Sequence, residues 1–89
     1  MRLDKFLKVS RIIKRRTVAN EACSMGRVFV NDKVAKPSTD VKVGDCISVR
    51  MGAKLLKAEI IMVKETVRKE DAENMYRIIS DSLNDGRED

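Results

Sequence analysis

The spacing of apolar positions changes period along the chain. Leu3, Phe6 and Leu7 recur at helical spacing and Arg2, Lys5 and Lys8 fall roughly opposite, which predicts a short helix over residues 2–9. Asp4 sits in its first turn, where the helix dipole favours an anion. Ile12 and Ile13 then precede the run Lys14-Arg15-Arg16. Thr17 is the expected N-cap of a second helix, although Asn20 stands where a complete capping box would carry Glu or Gln. Val18, Ala22 and Met25 form the expected buried stripe of that helix, and Gly26 suits its C′ position.

From there the period shortens to two. Val28 and Val30 alternate with Arg27 and Phe29, and Asn31-Asp32 signals a tight turn before Val34, weaker than Asn-Gly. Pro37-Ser38 ends that strand. Gly44-Asp45 marks a turn before Ile47, Val49 and Met51, and Gly52 separates these from a β-prone stretch over residues 55–63. Helical spacing returns over residues 66–83, with Ala72, Met75, Tyr76, Ile79 and Leu83 on one face, and residues 84–89 are expected to fray. The predicted order is α-α-β-β-β-β-α, without repeats or low-complexity segments.

With 89 residues the chain fits one modest core, too small for a self-contained multi-domain enzyme. It has no histidine and two cysteines, so a His/Cys zinc site and a Ser-His or Cys-His nucleophile pair are excluded. Cys23 and Cys46 are too few for a disulfide framework and are read as small apolar residues. No cofactor and no metal are expected. No apolar run reaches the ~18 residues of a membrane span, and MRLDKFLK has no signal-peptide core, so a cytoplasmic protein with no membrane partner is expected.

The net charge of +5 is polarised. Residues 1–36 carry +7, residues 37–64 carry +2, and residues 65–89 carry −4. A basic head of this kind suggests a polyanionic partner. Arg2, Lys5, Lys8, Arg11, Lys14, Arg15 and Arg16 can converge where the two helices meet, and guanidinium forks suit phosphate. A merely solvated basic face is the bland alternative. Phe6, the aromatic of the helical head, lies on the apolar stripe, so base stacking is disfavoured and contacts to phosphates and 2′-hydroxyls of a structured RNA are expected. A duplex-DNA reader would place base-reading side chains on the second helix, which instead carries Glu21 and almost no basic residue.

Five motifs occur in order: Arg2-Leu3-Asp4-Lys5-Phe6-Leu7, Lys14-Arg15-Arg16-Thr17-Val18-Ala19, Gly26-Arg27-Val28-Phe29-Val30-Asn31, Lys36-Pro37-Ser38 and Val43-Gly44-Asp45-Cys46-Ile47-Ser48-Val49. Together they resemble the S-four RNA-binding domain, shared with the heat-shock-protein-fifteen family, over about residues 1–52. The resemblance implies an α+β fold, with two N-terminal helices packed on a small bent antiparallel sheet, to which the C-terminal helix is added. The organisation expected is an RNA-binding domain over residues 1–65 and an acidic amphipathic helix and tail over residues 66–89. Asp32 stands where the family commonly has the turn glycine. The stretch from Arg2 to Arg11 and the run Lys69-Glu70-Asp71-Ala72-Glu73-Asn74-Met75-Tyr76 narrow the resemblance to the ribosome-quality-control branch. That branch implies binding to obstructed large ribosomal subunits carrying peptidyl-tRNA, contact with large-subunit rRNA and tRNA, and cooperation with the NEMF-type alanine-tailing factor.

By this resemblance Arg2, Asp4, Lys5, Arg15, Arg16 and Thr17 lie on the RNA-facing side, joined by Lys8, Arg11 and Lys14 from the charge pattern. Arg16 and Arg2 are the expected phosphate contacts. Asp4 has three readings: it caps the first helix and orients Arg16, it accepts from an rRNA base or sugar, or it is a dipole-favoured surface acid. Arg27 and Lys36 are peripheral candidates. The competing functions are a heat-shock-type factor that recycles or assembles large subunits without tailing, and a duplex-DNA regulator. No catalytic constellation supports an enzyme, and a monomer is expected.

Overall fold

The computed structural model describes residues 1–81. Helices α1 (Leu3–Val9) and α2 (Arg16–Ser24) lead into strands β1 (Val28–Val30), β2 (Lys33–Val34), β3 (Cys46–Met51) and β4 (Lys54–Ile60). A single helical turn, α3 (Lys69–Ala72), runs into a 3₁₀ turn at Glu73–Met75 and then into β5 (Tyr76–Asp81). The strands form one sheet in the order β2-β1-β3-β4-β5, with every neighbouring pair antiparallel. This is an α+β fold, with the helical pair packed over the sheet through one core.

Leu3, Phe6 and Leu7 are fully buried, so the first apolar stripe faces inward as its spacing predicts. They pack in one cluster with Ala19 and Cys23 of α2, Val28, Ile47 and Val49 of β1 and β3, Ala58 and Ile60 of β4, and Met75. The Arg2 side chain does not cap α1. Instead the amides of Leu3 and Asp4 donate to the carbonyls of Thr39 and Pro37 at 2.8 and 3.1 Å. These bonds satisfy two of the free helix-end donors and moor the loop carrying Lys36-Pro37-Ser38.

The turn chemistry follows the sequence closely. Asn31 and Asp32 both have positive φ, 51° and 69°, as a two-residue type I′ hairpin turn requires, and Val30 pairs with Lys33 across it. Asn31 Nδ2 also donates to buried Asp45, and Asn31 Oδ1 accepts from the Cys46 amide. The hairpin is thereby tied to the start of β3 without the glycine that such turns usually carry. Gly26, at φ 74°, closes α2 as a Schellman motif: its amide reaches the Cys23 carbonyl and the Arg27 amide reaches Ala22.

Four expectations are corrected. The buried seam of α2 is Ala19 and Cys23, whereas Val18 and Met25 are exposed and Ala22 only half-buried. Two small residues one turn apart let α2 lie close over the large side chains of α1, a gain that outweighs the hydrophobicity of Val18 and Met25. The N-cap of α2 is Arg15, not Thr17, because the Arg15 carbonyl already accepts from the Ala19 amide. The helix expected over residues 66–83 is confined to residues 69–75, and residues 76–81 form β5. The helix-spaced Ala72 and Met75 are buried as expected, but Ile79 is exposed. The β-branched pair Ile78-Ile79 joins a strand that pairs the otherwise open edge of β4, with Ile79 as the extra residue at an irregularity opposite Lys57 and Ala58. Leu83 and the expected fraying of residues 84–89 lie outside the described residues. β4 also stops earlier than its β-prone run, at Ile60, where the next two amides turn to the Met75 carbonyl.

The two readings of the α2 stripe differ in a measurable way. Ala19→Asp is expected to unfold the domain at 25 °C, because it places an unpaired carboxylate in the seam. Val18→Asp is expected to change stability by no more than about 0.5 kcal/mol, as exposed substitutions do. Thermal melting followed by far-ultraviolet circular dichroism distinguishes them, and similar losses in both would return Val18 to the core.

Candidate nucleic-acid interface

The basic head is organised around one buried carboxylate. Asp4 points into the α1–α2 contact and is 2% exposed. Arg2 holds it through Nε at 3.1 Å and Nη2 at 3.3 Å. From α2, Arg16 Nη2 approaches Oδ1 at 3.5 Å and Asn20 Nδ2 donates to Oδ2 at 3.3 Å. Arg16 and Asn20 are four residues apart, on one face of α2, so starting the helix at Arg16 brings both over Asp4. Burial pushes the Asp4 carboxyl up, but the bonds from Arg2 and Asn20 and the charges of Arg16 and Arg2 together hold it below the ordinary aspartate value. The surface-acid reading of Asp4 is thus overturned, and its side chain does not cap α1. It is the residue that positions Arg2 and Arg16.

The arginines themselves stay at the surface. Their side chains are 50% and 47% exposed. Each guanidinium has five N–H donors and spends only part of them on Asp4, so an outward edge remains free to bind phosphate. Two cations around one carboxylate leave the cluster positive. A hollow of about 310 Å³ beside it is lined by Asp4, Arg16, Thr17 and Asn20. A groove of about 530 Å³ meets it at Asn20 and is lined also by Arg2 and by Lys36, Pro37 and Ser38.

The remaining expected residues divide. Arg15 and Thr17 are exposed at the start of α2, beside the cluster. Lys5 is half-buried and paired with Glu65, a contact that holds the Glu65 carboxyl below its ordinary value. Lys8, Arg11 and Lys14 are exposed and gather at the other end of α1, around a separate cleft with residues 65–69. Lys36 joins the groove, whereas Arg27 is exposed and not part of its lining. Asn20 was missed as a site residue. Its four-residue spacing from Arg16 is the signal that could have found it. Among the described residues no helix is long and apolar enough to cross a membrane, and no three His, Cys, Asp or Glu side chains gather as a metal site.

The chain is similar to known proteins over most of its length. The S4 domain family matches residues 1–47. An RQC P-site tRNA stabilizing factor from Halalkalibacterium halodurans is 60% identical, over 88% of this chain and 89% of that protein. Its counterpart of the same name from Streptococcus pneumoniae is 56% identical, over 92% and 93%. Among solved structures, the trimeric structure of Vibrio cholerae heat shock protein 15 superposes with a TM-score of 0.83 at 32% identity, over 90% of this chain and 82% of that one.

The Asp4 cluster carries a pH signature. Its folded-state pKa is depressed, so its stabilisation is complete above the ordinary aspartate value near ~3.9 and is lost as pH falls through the folded value. Asp4→Asn is expected to be less stable than wild type at pH 7, with the gap narrowing on acidification from about pH 5 to pH 2. Asp45, likewise depressed through Lys42 and Asn31 against its burial, keeps an acid limb in both proteins. Denaturant melts at a series of pH values test this, and a gap that does not change with pH would remove Asp4 as an ionised clamp.

Proposed function

This chain belongs to the S4 domain family, and we propose that it is an RNA-binding factor of ribosome-associated quality control that steadies a tRNA at the P site of an obstructed large subunit. One observation carries the reading. A buried carboxylate fixes two half-exposed arginines side by side on the helical face, with donors left over. Guanidinium groups held in place before binding lose less conformational entropy when they meet a phosphate than free side chains would. The partners of this face are tRNA and large-subunit rRNA, recognised through phosphates and 2′-hydroxyls. The work is one of holding. A peptidyl-tRNA kept in place on the subunit remains available to the NEMF-type factor for alanine-tail elongation, and no bond is made or broken by this chain.

The fold match to heat shock protein 15 supports a shared RNA face and keeps a recycling role as the second reading. Identities of 60% and 56% across almost the whole length of the quality-control relatives favour the first. A duplex-DNA role is disfavoured because α2 starts with its arginine turned onto Asp4 and carries exposed Glu21.

The test measures binding of the full chain to large subunits with and without peptidyl-tRNA. Arg16→Ala and Arg2→Ala are each expected to weaken binding by about 1.5–3 kcal/mol, roughly ten- to a hundredfold, when measured well below their melting temperatures, which fall because buried Asp4 loses a partner. With roughly 4–6 phosphate contacts, log K should fall with log salt by several units, and each arginine removed should lessen that slope by about one. Equal affinity for vacant subunits would sink the P-site assignment. A slope near zero would sink phosphate recognition itself.

A further inference from the structure

The two ends of α1 carry different chemistry. At its start Arg2 and Arg16 are paired to Asp4. Beyond its end, a cleft of about 220 Å³ opens between the helical pair and residues 65–69, lined by Lys8, Arg11, Lys14, Glu65, Val67 and Lys69 among others. Four of these are cations, and among the described residues none of the four has a carboxylate partner. Glu65, the one acid of the lining, is taken by Lys5. Four like charges around one concavity repel one another unless an anion lies among them.

Arg11 provides a second and independent observation. It occupies the C′ position of α1 at φ 64°, its amide donating to the Lys8 carbonyl. Glycine adopts this left-handed conformation without strain, and an arginine does not. At the same position of α2 the chain has Gly26, at φ 74°. One protein thus closes one helix with glycine and the other with a strained arginine whose side chain lines the cleft. Strain kept at a cleft in this way points to a use for the side chain. The lining holds no aromatic residue on which a base could stack, so recognition there is by charge alone.

We propose that this cleft grips the phosphates of an RNA backbone, so that α1 lies along the RNA with a phosphate contact at each end. From Asp4 to Arg11 the separation along the helix axis is about 10 Å at 1.5 Å per residue. The cleft is built jointly by the N-terminal helices and the C-terminal segment, through Lys69, the first residue of α3. This rests on the RNA-binding reading above, but it assigns residues outside the Asp4 cluster.

Full-length Arg11→Gly and Lys69→Ala are compared with Arg16→Ala for binding to tRNA and to large subunits carrying it, alongside thermal melting. Arg11→Gly is expected to weaken binding about five- to tenfold while its melting temperature holds or rises, since the strain goes with the side chain. Lys69→Ala should weaken binding similarly and lessen the salt slope by about one. If both bind as wild type while Arg16→Ala loses affinity, the cleft assignment is wrong and the RNA reading stands. If both weaken binding and Arg16→Ala does not, the cleft stands and the Asp4 cluster loses its role. A lower melting temperature for Arg11→Gly would make Arg11 a structural residue and overturn the proposal. Inorganic pyrophosphate, titrated against the amide spectrum, separates the remaining source. Saturable shifts at Arg11, Lys14 and Lys69, in a protein whose cleft variants bind RNA normally, would assign the cleft to a free oligophosphate and overturn the RNA-backbone assignment.

Discussion

A carboxylate sealed between two helices is the constraint on which the surface of this protein depends. Asp4 could not remain ionised there alone, since an unpaired buried charge costs far more than a small domain has to spare. It is tolerated because Arg2 and Asn20 donate to it directly and Arg16 stands beside it. The same residue donates its amide to the Pro37 carbonyl, so α1, α2 and the loop after β2 are joined at one point. The charge also reaches the core. Burial, and next the Asp4 charge, push the Cys23 thiol up to about 11, which keeps it protonated and unreactive. What appears at the surface as two ready guanidinium groups is the outer half of an internal electrostatic bond.

That bond is only as precise as the sheet beneath it. α1 shares its core with Ile47 and Val49 of β3 and with Ala58 and Ile60 of β4, residues from the longest strand pairing among the described residues. The register of that pairing is set at the Asn31–Asp45 corner, where side-chain bonds link the hairpin turn to β3. At the far edge, β5 covers β4 and brings Met75 into the core. A helical face built this way is rigid because each layer is tied to the next, and rigidity is what a phosphate-holding surface requires.

Much of this was legible in the sequence, and the failures share one cause. Leu3-Phe6-Leu7, the Asn31-Asp32 turn and Gly26 each announce their structure through local chemistry: helical spacing, tolerance of positive φ, and freedom from a Cβ. The α2 seam did not, because its choice of Ala19 and Cys23 over Val18 and Met25 depends on how closely α1 approaches, a tertiary quantity. Strand β5 was hidden for the same reason. Residues 72–79 satisfy a helical period, and only the open edge of β4 decides in favour of a strand. The site was read as a set of charges but not as a geometry. Arg2, Arg16 and Asp4 stood out by type, while the burial of Asp4 and the part played by Asn20 required the two helices to be in contact.

The charge pattern needs the same qualification. Summed by segment, the chain has a basic head and an acidic end, which suggests that the end avoids RNA. Fields at ordinary ionic strength decay over about 8–10 Å, so what matters is which charges lie within that distance of each other. In the fold, Glu65 neutralises Lys5, a residue of the head, while Lys69 of the acidic end stands with Lys8, Arg11 and Lys14. Three of the segment's acids, Glu70, Asp71 and Glu73, are exposed on the following turns and do not line the cleft. A segment of net negative charge therefore adds to the positive surface where it touches the helices. It does so because the strand that follows is locked to β4, which holds residues 65–69 against α1 rather than leaving their charges to spread through solvent.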